Sequence, residues 1–531
     1  MLDLLIRDGF IVDGSGRHAW KGDVGVRDGK IAVLGAACTV PSRTVIDATG
    51  KVIAPGFIDL HSHADLKVLN DPIGTIKLQQ GVTTEIFGNC GFSAAPFDPE
   101  RLQLLQTYSE PIMGRLTGEW TWRTYEEYLA VLRSKRFGHH VGGYVGNGAL
   151  RIAVKGFAAG SLSRQELAKV KHLLDEALKA GALGLSLGLM YVPENYYSLS
   201  ELVEICGVLK KHGAILVAHM RGEGNSLLRS IREVLDIAEQ AEVSLHISHL
   251  KAAGKNNWGA TCSAAIDLVE EARGWGLDVT CDVYPYTAGS STLTSLLPPW
   301  ALEGGVRRAI QRVADPVQRR RILAELNHEA DDWDNLVYPT GWDKVVVSSV
   351  GSTINQSLVG KSMAEIASIR GAEPAAVALD LLAEEDGNVA IVFFHMAEDD
   401  MIRIMKLPYS FIISDSLYST SGLPHPRLYG TFPRVFARYV RDQKVLTLEE
   451  AVRKVTALPA QRLELQSIGR LELGYAADIT IFDPATIQDQ ATYTRPEQYP
   501  AGIDWVLVGG VVANQFGKLT GVRNGRLLTS R

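Results

Sequence analysis

The chain has 531 residues, 46% of them hydrophobic and 21% charged, with a formal net charge of −6. This is the composition of a folded protein with a deep core and more than one domain, and the negative charge disfavours nucleic acid as a partner. No apolar stretch approaches the roughly 20 residues that cross a bilayer, and the acidic start MLDLLIRDG is not that of a signal peptide. A cytoplasmic protein without a membrane partner is predicted.

Both ends of the chain are predicted to be rich in short strands. Asp-Gly pairs separate β-type runs in LDLLIRDGFIVDGSG and GDVGVRDGKIAVLG, a pattern typical of hairpins. The end of the chain repeats this pattern in ADITIFD and DWVLVGGVV. We therefore expect residues 1–54 and 466–531 to form one small β-sandwich domain built from both termini.

The middle of the chain alternates short apolar runs with helical segments such as 162–180 and 226–241. Alternation of this kind predicts a parallel sheet, and about eight repeats favour a (β/α)8 barrel over residues 55–465. Residues 290–345 do not fit the repeat and are predicted to be an inserted lid. The predicted strand runs are 52–63, 81–91, 140–150, 182–191, 214–224, 243–251, 277–286, 389–396 and 411–416.

The first of these runs, VIAPGFIDLHSH, carries the strongest chemical signal. Alternation along a strand sends His61 and His63 to the same side. Two imidazoles at the end of a strand provide half of a metal site. The alternative is a hairpin edge with two solvated histidines.

Further unusual residues end later predicted strands, where a barrel would bring them to one rim. They are Cys90, His219, His249 and Asp415. Cys90 is interpreted as a metal ligand, the alternatives being a small buried hydrophobe or a nucleophile; the other cysteines are scattered and predicted to be free thiols. Only one of His246 and His249 can point inward. His249 is favoured because it lies nearer the end of the strand, and His246 is interpreted as a histidine packed behind the ligands. Asp415 is predicted to be the general base, its alternative role being a helix N-cap.

This ordered set resembles the amidohydrolase superfamily and, within it, the D-aminoacylases. The resemblance covers nearly the whole chain except residues 300–345. The stretches that carry it are PGFIDLHSH, GVTTEIFGNCGFSAAP, GLMYVPENYYS, AHMRGEG, SHLKAAGKNNWG, DVYPYTAGSS, SDS, HPRLYGTFPRVFARYVR and the late ALPAQRLEL with IGRLELGYAADITIFDP.

The resemblance implies a barrel with a β-sandwich and a zinc ion held by Cys90, His219 and His249. It also implies a second, weaker metal site at His61, His63 and Cys90. Relatives with two tight metals bridge them with a carboxylated lysine on the fourth strand, but ALGLSLGLMY contains no lysine. The sequence therefore does not decide whether the site binds one metal ion or two.

The implied reaction is hydrolysis of an N-acyl-D-amino acid, with Asp415 moving the proton from water to the leaving amine. Lys251, Tyr191 and Arg427 would bind the substrate's α-carboxylate, and Tyr284 would donate to the developing oxyanion. Met190, Leu297 and Met396 stand where the family places its side-chain pocket. All three are apolar, and no arginine, which an acidic side chain would need, follows Leu297 before Arg307. N-acyl derivatives of hydrophobic D-amino acids are therefore the expected substrates.

The sequence offers four alternative functions. A cyclic-amide hydrolase of the dihydropyrimidinase or dihydroorotase type shares the His-x-His strand, but the missing lysine and the presence of Cys90 count against it. Hydrolysis of dipeptides with a terminal D-residue stays open. A deaminase lacks its His-x-x-Glu pattern here, and a metal-free scaffold protein would have lost ligands that this chain retains. The preference for D over L rests on the resemblance alone.

Overall fold

The structure, a computed structural model, describes residues 1–330, 333–418 and 422–530. Two residues of the predicted lid, 331 and 332, and the last residue of the predicted terminal domain, 531, lie outside the described residues. The strands are, in chain order, β1 (Leu2–Ile11), β2 (Trp20–Arg27), β3 (Lys30–Gly35), β4 (Ser42–Asp47), β5 (Val52–Pro55), β6 (Phe57–Asp59), β7 (Val82–Phe87), β8 (His140–Gly143), β9 (Val145–Gly146), β10 (Gly184–Gly188), β11 (Ile215–His219), β12 (Leu245–Ile247), β13 (Val279–Val283), β14 (Gly289–Thr292), β15 (Val345–Val350), β16 (Val389–Phe393), β17 (Ser410–Ile412), β18 (Ile479–Phe482), β19 (Ile503–Val508), β20 (Val511–Gln515) and β21 (Lys518–Leu519).

The helices fall mainly between the central strands. They are α1 (Lys67–Asn70), α2 (Thr75–Gln79), α3 (Leu102–Met113), α4 (Tyr125–Ser134), α5 (Asn147–Lys155), α6 (Arg164–Ala180), α7 (Leu199–Lys210), α8 (Leu227–Ala241), α9 (Ala260–Gly274), α10 (Val306–Ala314), α11 (Pro316–Leu326), α12 (Val337–Thr340), α13 (Met363–Arg370), α14 (Pro374–Glu384), α15 (Glu398–Lys406), α16 (Arg427–Arg434), α17 (Leu448–Lys454) and α18 (Ala457–Arg462). Both helical segments expected from the sequence are present as α6 and α8. The start of α6 is a capping box, in which Ser163 and Glu166 satisfy each other's backbone N–H groups.

Strands from the two ends of the chain hydrogen-bond in one sheet. Its order is β21-β20-β19-β18-β5-β1-β2-β3, with β4 paired to β1. The junction is the antiparallel pair of β18 with β5, which joins residues more than 400 positions apart. This sheet has a hydrophobic cluster of its own, which includes Ile6, Val24, Ile53 and Ile479. The domain boundaries at 54 and 466 stay predictions.

The central strands form two parallel ladders. One has the order β6-β7-β8 and the other β17-β13-β12-β11-β10-β9. Within the part of the chain that the structure describes, these hydrogen-bonded ladders do not close into one ring, although a parallel bridge between Ser62 and Ser416 links their ends. The architecture is thus mixed α/β, and the closed (β/α)8 barrel stays a prediction.

One strand expected in the parallel series lies elsewhere, so that expectation was wrong. β16 pairs antiparallel with both β14 and β15 in a separate sheet. The apolar run at 389–396 identified a buried strand, but periodicity carries no information on the partner of a strand. Around this sheet packs a separate hydrophobic cluster that includes Leu293, Val347, Ile366, Leu382 and Phe393.

The end of the chain crosses from the terminal sheet to the central strands. Leu527 bridges Val141 of β8 in parallel, and the backbone N–H of Ser530 donates to the carbonyl of Gly181. Among the described helices, none has both the length and the apolar character that crossing a bilayer demands.

Candidate metal centre and active site

The side chains proposed as metal ligands and the proposed general base, Asp415, come together at the carboxyl ends of the parallel strands. β11 ends in His219 itself, whereas the others lie two to four residues past β6, β7, β12 and β17. All are buried, between 0% and 6% exposed: His61, His63, Cys90, His219, His249 and Asp415. The parallel order of the strands therefore converts distant sequence positions into one cluster.

These six residues form two groups that share Cys90. The ligand atoms of His61, His63, Cys90 and Asp415 lie within 4.8 Å of one another, and so do those of Cys90, His219 and His249. Cys90 Sγ lies 3.2 Å from His61 Nε2 and 3.5 Å from His249 Nε2. The geometry thus places a thiol between two imidazole groups.

The donor set suits a zinc ion. Imidazole nitrogen, thiolate sulfur and carboxylate oxygen are the ligands that zinc takes in proteins. Burial lowers the pKa of His219 and His63, the latter to about 4, which leaves them as neutral imidazoles with a free lone pair. Burial also raises the pKa of the Cys90 thiol well above its usual value, so a thiolate there needs a cation beside it.

The backbone is strained at three of these residues. Cys90, His249 and Asp415 have φ values of 54°, 32° and 48°, in the left-handed region that non-glycine residues rarely occupy. Such residues cluster where function requires a side chain in a fixed direction. The residue after Cys90 must be a glycine for a steric reason, because a Cβ on Gly91 would overlap the carboxylate of Glu194.

Asp415 lies between the imidazoles and a buried cation. Its Oδ1 is 3.3 Å from His63 Nε2, and its Oδ2 is 2.9 Å from Arg427 Nη1. Burial would raise the pKa of Asp415, but the charges of Arg427 and His61 outweigh it and hold that pKa well below its usual value. A carboxylate beside the ligand group can accept a proton from water there.

Sequence reasoning missed Glu223, which lies four residues after His219. Its Oε1 is 2.6 Å from Lys251 Nζ and 3.0 Å from His249 Nδ1. Lys251 Nζ is itself 2.7 Å from His249 Nδ1. β12 ends at Ile247, so His249 and Lys251 both lie in the loop after the strand. The contact between their side chains, and not the alternation of a strand, brings them together.

Asp282 on β13 was also missed. Its Oδ2 lies 3.3 Å from His61 Nδ1 and 2.8 Å from His246 Nε2, and its Oδ1 accepts from the backbone N–H of His249. A carboxylate behind a ligand imidazole fixes the ring orientation and tautomer. His246 thus packs behind the ligand group, as the sequence reasoning favoured. The signal that could have found Asp282 is an acid within the apolar strand LDVTCDVYPY.

The cluster opens into an active-site cavity of about 620 Å³. Of the residues predicted to bind substrate, five line it: Met190, Tyr191, Lys251, Tyr284 and Arg427. Leu297 instead lines an adjoining cavity, whose walls include Phe92, Phe157, Met190 and Val306. Met396 is buried behind the wall, where the Tyr284 hydroxyl lies 3.5 Å from its sulfur.

The antiparallel sheet β14-β16-β15 provides one wall of the cavity. Ser290, Ile391, Phe393 and His395 come from it or from its immediate end. Neither ring nitrogen of His395 has a hydrogen-bond partner among the described residues, and burial lowers its pKa to about 3. His395 is therefore a neutral imidazole at the cavity wall that no sequence signal distinguished from a packed histidine.

Comparison with known proteins gives a consistent result. The sequence matches the amidohydrolase family over residues 44–186 and 354–513. It is 34% identical over 99% of its length to a D-aminoacylase, covering 97% of that protein, and 34% identical over 96% of its length to an N-acyl-D-glutamate deacylase, covering 93%. Both relatives are from Alcaligenes xylosoxydans xylosoxydans.

Solved structures agree with this result. An N-acyl-D-glutamate deacylase from Bordetella bronchiseptica, complexed with zinc and a phosphonate that mimics the tetrahedral intermediate, superposes with a TM-score of 0.83 at 31% identity, covering 99% of both chains. A D-aminoacylase with a binuclear metal centre, described as activated by one metal and attenuated by a second, gives 0.82 at 32% identity, covering all of both chains.

Proposed function

This chain belongs to the amidohydrolase family and within it to the D-aminoacylases, and on that premise we propose that it hydrolyses the amide bond of N-acyl-D-amino acids. The observation that carries the proposal is the buried group of His61, His63, Cys90, His219, His249 and Asp415 at one end of the parallel strands. The products are a carboxylate and a free D-amino acid. The relatives act on this class of substrate, as their names state.

Cys90, His219 and His249 would hold the tightly bound zinc ion, and His61, His63 and Cys90 a second, weaker one. When bound, zinc supplies a Lewis acid that polarises the amide carbonyl and makes water more acidic. The segment ALGLSLGLMY, which contains β10, offers no lysine for a bridging position. Cys90, which belongs to both groups of candidate ligands, would take that place.

Asp415 is the proposed proton carrier. Its Oδ1 faces the imidazoles and accepts the proton of the attacking water. The same oxygen then delivers that proton to the amide nitrogen, because an amine leaves only when it is protonated. Tyr284, beside Arg427, would donate to the oxyanion that develops on the carbonyl.

Arg427 is the principal group proposed for the substrate's α-carboxylate. Its guanidinium is buried and lies 4.6 Å over the Tyr284 ring, and its planar fork matches a carboxylate. Lys251 and Tyr191 line the same cavity. Lys251 is paired with Glu223, so Glu223 already neutralises part of the charge that Lys251 offers to the substrate's α-carboxylate.

Hydrophobic side chains are the proposed preference. Among the described residues that line the active-site cavity, the lysine and arginine cations are Lys251 and Arg427, and both are assigned to the α-carboxylate. A second, acidic group on the substrate would find no counter-charge and would lose its hydration. The remaining wall includes Leu296, Ile391 and Phe393.

We further propose that residues 55–465 form a (β/α)8 barrel. Parallel pairing runs through both ladders, and β8 and β9 are separated only by Tyr144. The bridge from Ser62 to Ser416 and the hydrogen bond from Leu183 N to the Gly143 carbonyl span the two gaps. We propose that the lid, predicted at 290–345, extends through β16, and that residues 1–54 and 466–531 are the terminal domain.

The test is a panel of N-acetyl-D- and N-acetyl-L-amino acids with zinc analysis of the same sample. We expect hydrolysis of the D-methionine and D-leucine derivatives with higher kcat/KM than the D-glutamate and D-aspartate derivatives. Asp415→Asn should lower kcat by about 10²–10⁴-fold while zinc stays bound. Better cleavage of the acidic substrates would contradict the side-chain preference.

Hydantoin and dihydrouracil belong in the same panel. Their hydrolysis without hydrolysis of any N-acyl-D-amino acid would assign the chain to cyclic amides and overturn the proposal. An N-acyl dipeptide with a terminal D-residue tests the remaining open substrate.

A further inference from the structure

A series of hydrogen bonds runs from the ligand group towards the opposite end of the parallel strands. Thr280 Oγ1 lies 2.8 Å from His246 Nδ1, and His246 Nε2 lies 2.8 Å from Asp282 Oδ2. The same carboxylate oxygen lies 3.3 Å from His61 Nδ1. These four residues, here called the core network, connect a threonine hydroxyl with a proposed metal ligand.

The register of two strands builds the core network. Thr280 and Asp282 are two residues apart on β13, so their side chains share one side of the strand. His246 of β12 is the register partner of Thr280. Its ring stacks on Phe411 of β17, with centroids 5.2 Å apart and 18° between the planes. The imidazole is therefore fixed by packing as well as by the partners of its two nitrogens.

The far end of the core network reaches a cavity at the amino ends of the strands, here called the basal cavity. Thr280 is half-buried and lines this cavity, whereas His246 and Asp282 are buried. The residues that immediately precede β12, β13 and β17 line it as well: Ser244, Asp278 and Tyr409. The core network thus crosses the interior between a solvent-accessible cavity and the ligand group.

The hydrogen bonds of the core network have one consistent direction. Burial would raise the pKa of Asp282, but the neighbouring His61 and His246 outweigh it and hold that pKa below its usual value. An ionised carboxylate only accepts, so both imidazoles donate to it. Burial lowers the pKa of His246, and the Nδ1 of this neutral ring therefore accepts from the Thr280 hydroxyl. His61 donates through Nδ1, which leaves the lone pair on Nε2, 3.2 Å from Cys90 Sγ.

We propose that His246 and Thr280 are positioning residues that set the zinc affinity of the weaker metal site. Thr280 fixes the tautomer of His246, His246 holds the Asp282 carboxylate, and Asp282 presents His61 Nε2 to the metal. This inference rests on the proposed function, because it acts on the second metal site assigned there. Asp282 also accepts from the backbone N–H of His249, so the tight site should respond, but to a smaller extent.

The experiment takes the zinc-loaded protein and measures how tightly each zinc ion is held, by competition with a chromogenic chelator. His246→Phe keeps a ring against Phe411 and removes both nitrogens. It should weaken binding of the second zinc by about 10–100-fold, and binding of the first much less. Thr280→Val keeps the shape of the side chain but leaves His246 Nδ1 without its donor, so it should weaken the second zinc by about 3–10-fold.

Two further variants separate the hydroxyl from packing. Thr280→Ser keeps the hydroxyl and loses the methyl group, so it should hold the second zinc as the wild type does. If packing decided the affinity, Thr280→Ser would be impaired and Thr280→Val would not. Ser244→Ala removes a hydroxyl from the wall of the same cavity, outside the core network, and should leave both affinities unchanged. Should His246→Phe fail to fold, the Thr280 pair and this control carry the test.

Unchanged binding of the second zinc in Thr280→Val and His246→Phe overturns the inference. Equal losses in Thr280→Ser and Thr280→Val, or equal losses of both zinc ions in His246→Phe, overturn it as well. A wild-type protein that binds a single zinc ion also overturns it, while the proposed hydrolysis still stands. If the wild type binds no zinc, the proposed function fails first and the inference falls with it.

Discussion

Arg427 is 1% exposed, and its Nη1 lies 2.9 Å from Asp415 Oδ2. Apart from this ion pair, its guanidinium nitrogens have no hydrogen-bond partner among the described residues. Burying donors without hydrogen-bond partners is costly, and the substrate carboxylate proposed to bind here would satisfy them.

Arg427→Lys should therefore lower kcat/KM for N-acetyl-D-methionine by about 10–100-fold, because a lysine cannot bind a carboxylate through a planar fork. The loss should be much smaller for N-acetyl-D-methioninamide, which has no carboxylate. Steady-state kinetics on both substrates give the ratio that isolates this contact. Arg434→Lys on the same helix, where Arg434 pairs with Asp489 outside the cavity, is the control. Equal losses on both substrates would contradict the assignment.

Glu194 is a buried carboxyl group positioned behind the loop that carries Cys90. Its Oε2 accepts from the backbone N–H of Gly188 at 3.0 Å and from Asn147 Nδ2 at 3.1 Å. Burial raises the pKa of this carboxyl from 4.5 to about 8, although those hydrogen bonds oppose the shift. The folded protein therefore holds a proton here that the unfolded chain releases above pH 4.5.

This difference makes stability depend on pH. The contribution of Glu194 is fully present below about pH 4.5 and is lost as the pH rises towards and through 8. Glu194→Gln removes the ionisation, so the variant should gain stability relative to the wild type between pH 5 and pH 8.5. Urea unfolding at several pH values measures this gain, with the exposed Glu204→Gln as the control. Wild-type and Glu194→Gln stability curves that run parallel would disprove the linkage.

At the scale of elements, the short helix α2 connects the strand ends beneath the ligand group. Lys77 Nζ lies 2.5 Å from Asp59 Oδ2 at the end of β6 and 3.2 Å from Glu85 Oε1 on β7. It also donates to the hydroxyls of Ser414 and Ser416, on either side of Asp415. One ammonium group thus fixes two strands and the segment that carries the proposed proton carrier.

Lys77→Met should reduce the free energy of unfolding by about 3–5 kcal/mol, because Asp59 and Glu85 would stay buried without their cation. Denaturant titration measures the loss. Lys210→Met, which breaks an exposed pair with Glu242, should change stability by less than about 1 kcal/mol. A loss for Lys77→Met as small as that of the control would mean that water or a rearranged side chain replaces the ammonium.

At the scale of the whole molecule, one buried carboxylate joins three parts of the chain. Asp478, just before β18, lies 3.1 Å from His140 Nε2 of β8 and accepts from the backbone N–H of Gly509 at 2.7 Å. His140 Nδ1 in turn accepts from the backbone N–H of Arg526. The terminal sheet, the central strands and the end of the chain therefore depend on one another.

Asp478→Ala should cost about 2–5 kcal/mol of stability, because it leaves buried polar groups of His140 and Gly509 unsatisfied. Asp478→Asn, which keeps an acceptor, should cost less. Thermal unfolding compares both with Asp8→Asn, which removes the charge from an exposed pair with Lys21 at a position whose φ of 60° asparagine tolerates. Equal melting temperatures for all three variants would show that this carboxylate does not couple the parts.

The sequence by itself predicted the candidate ligands and determined the mixed α/β architecture. Apolar runs that end in His, Cys or Asp mark strand termini, and parallel strands bring such termini to one edge whatever the loops between them. Only the tertiary structure decided the partners of those residues, because Glu223 and Asp282 reach His249 and His61 through contacts that cross between elements. It also decided that β16 joins an inserted sheet, since the pairing of a strand depends on neighbours that its own periodicity does not record.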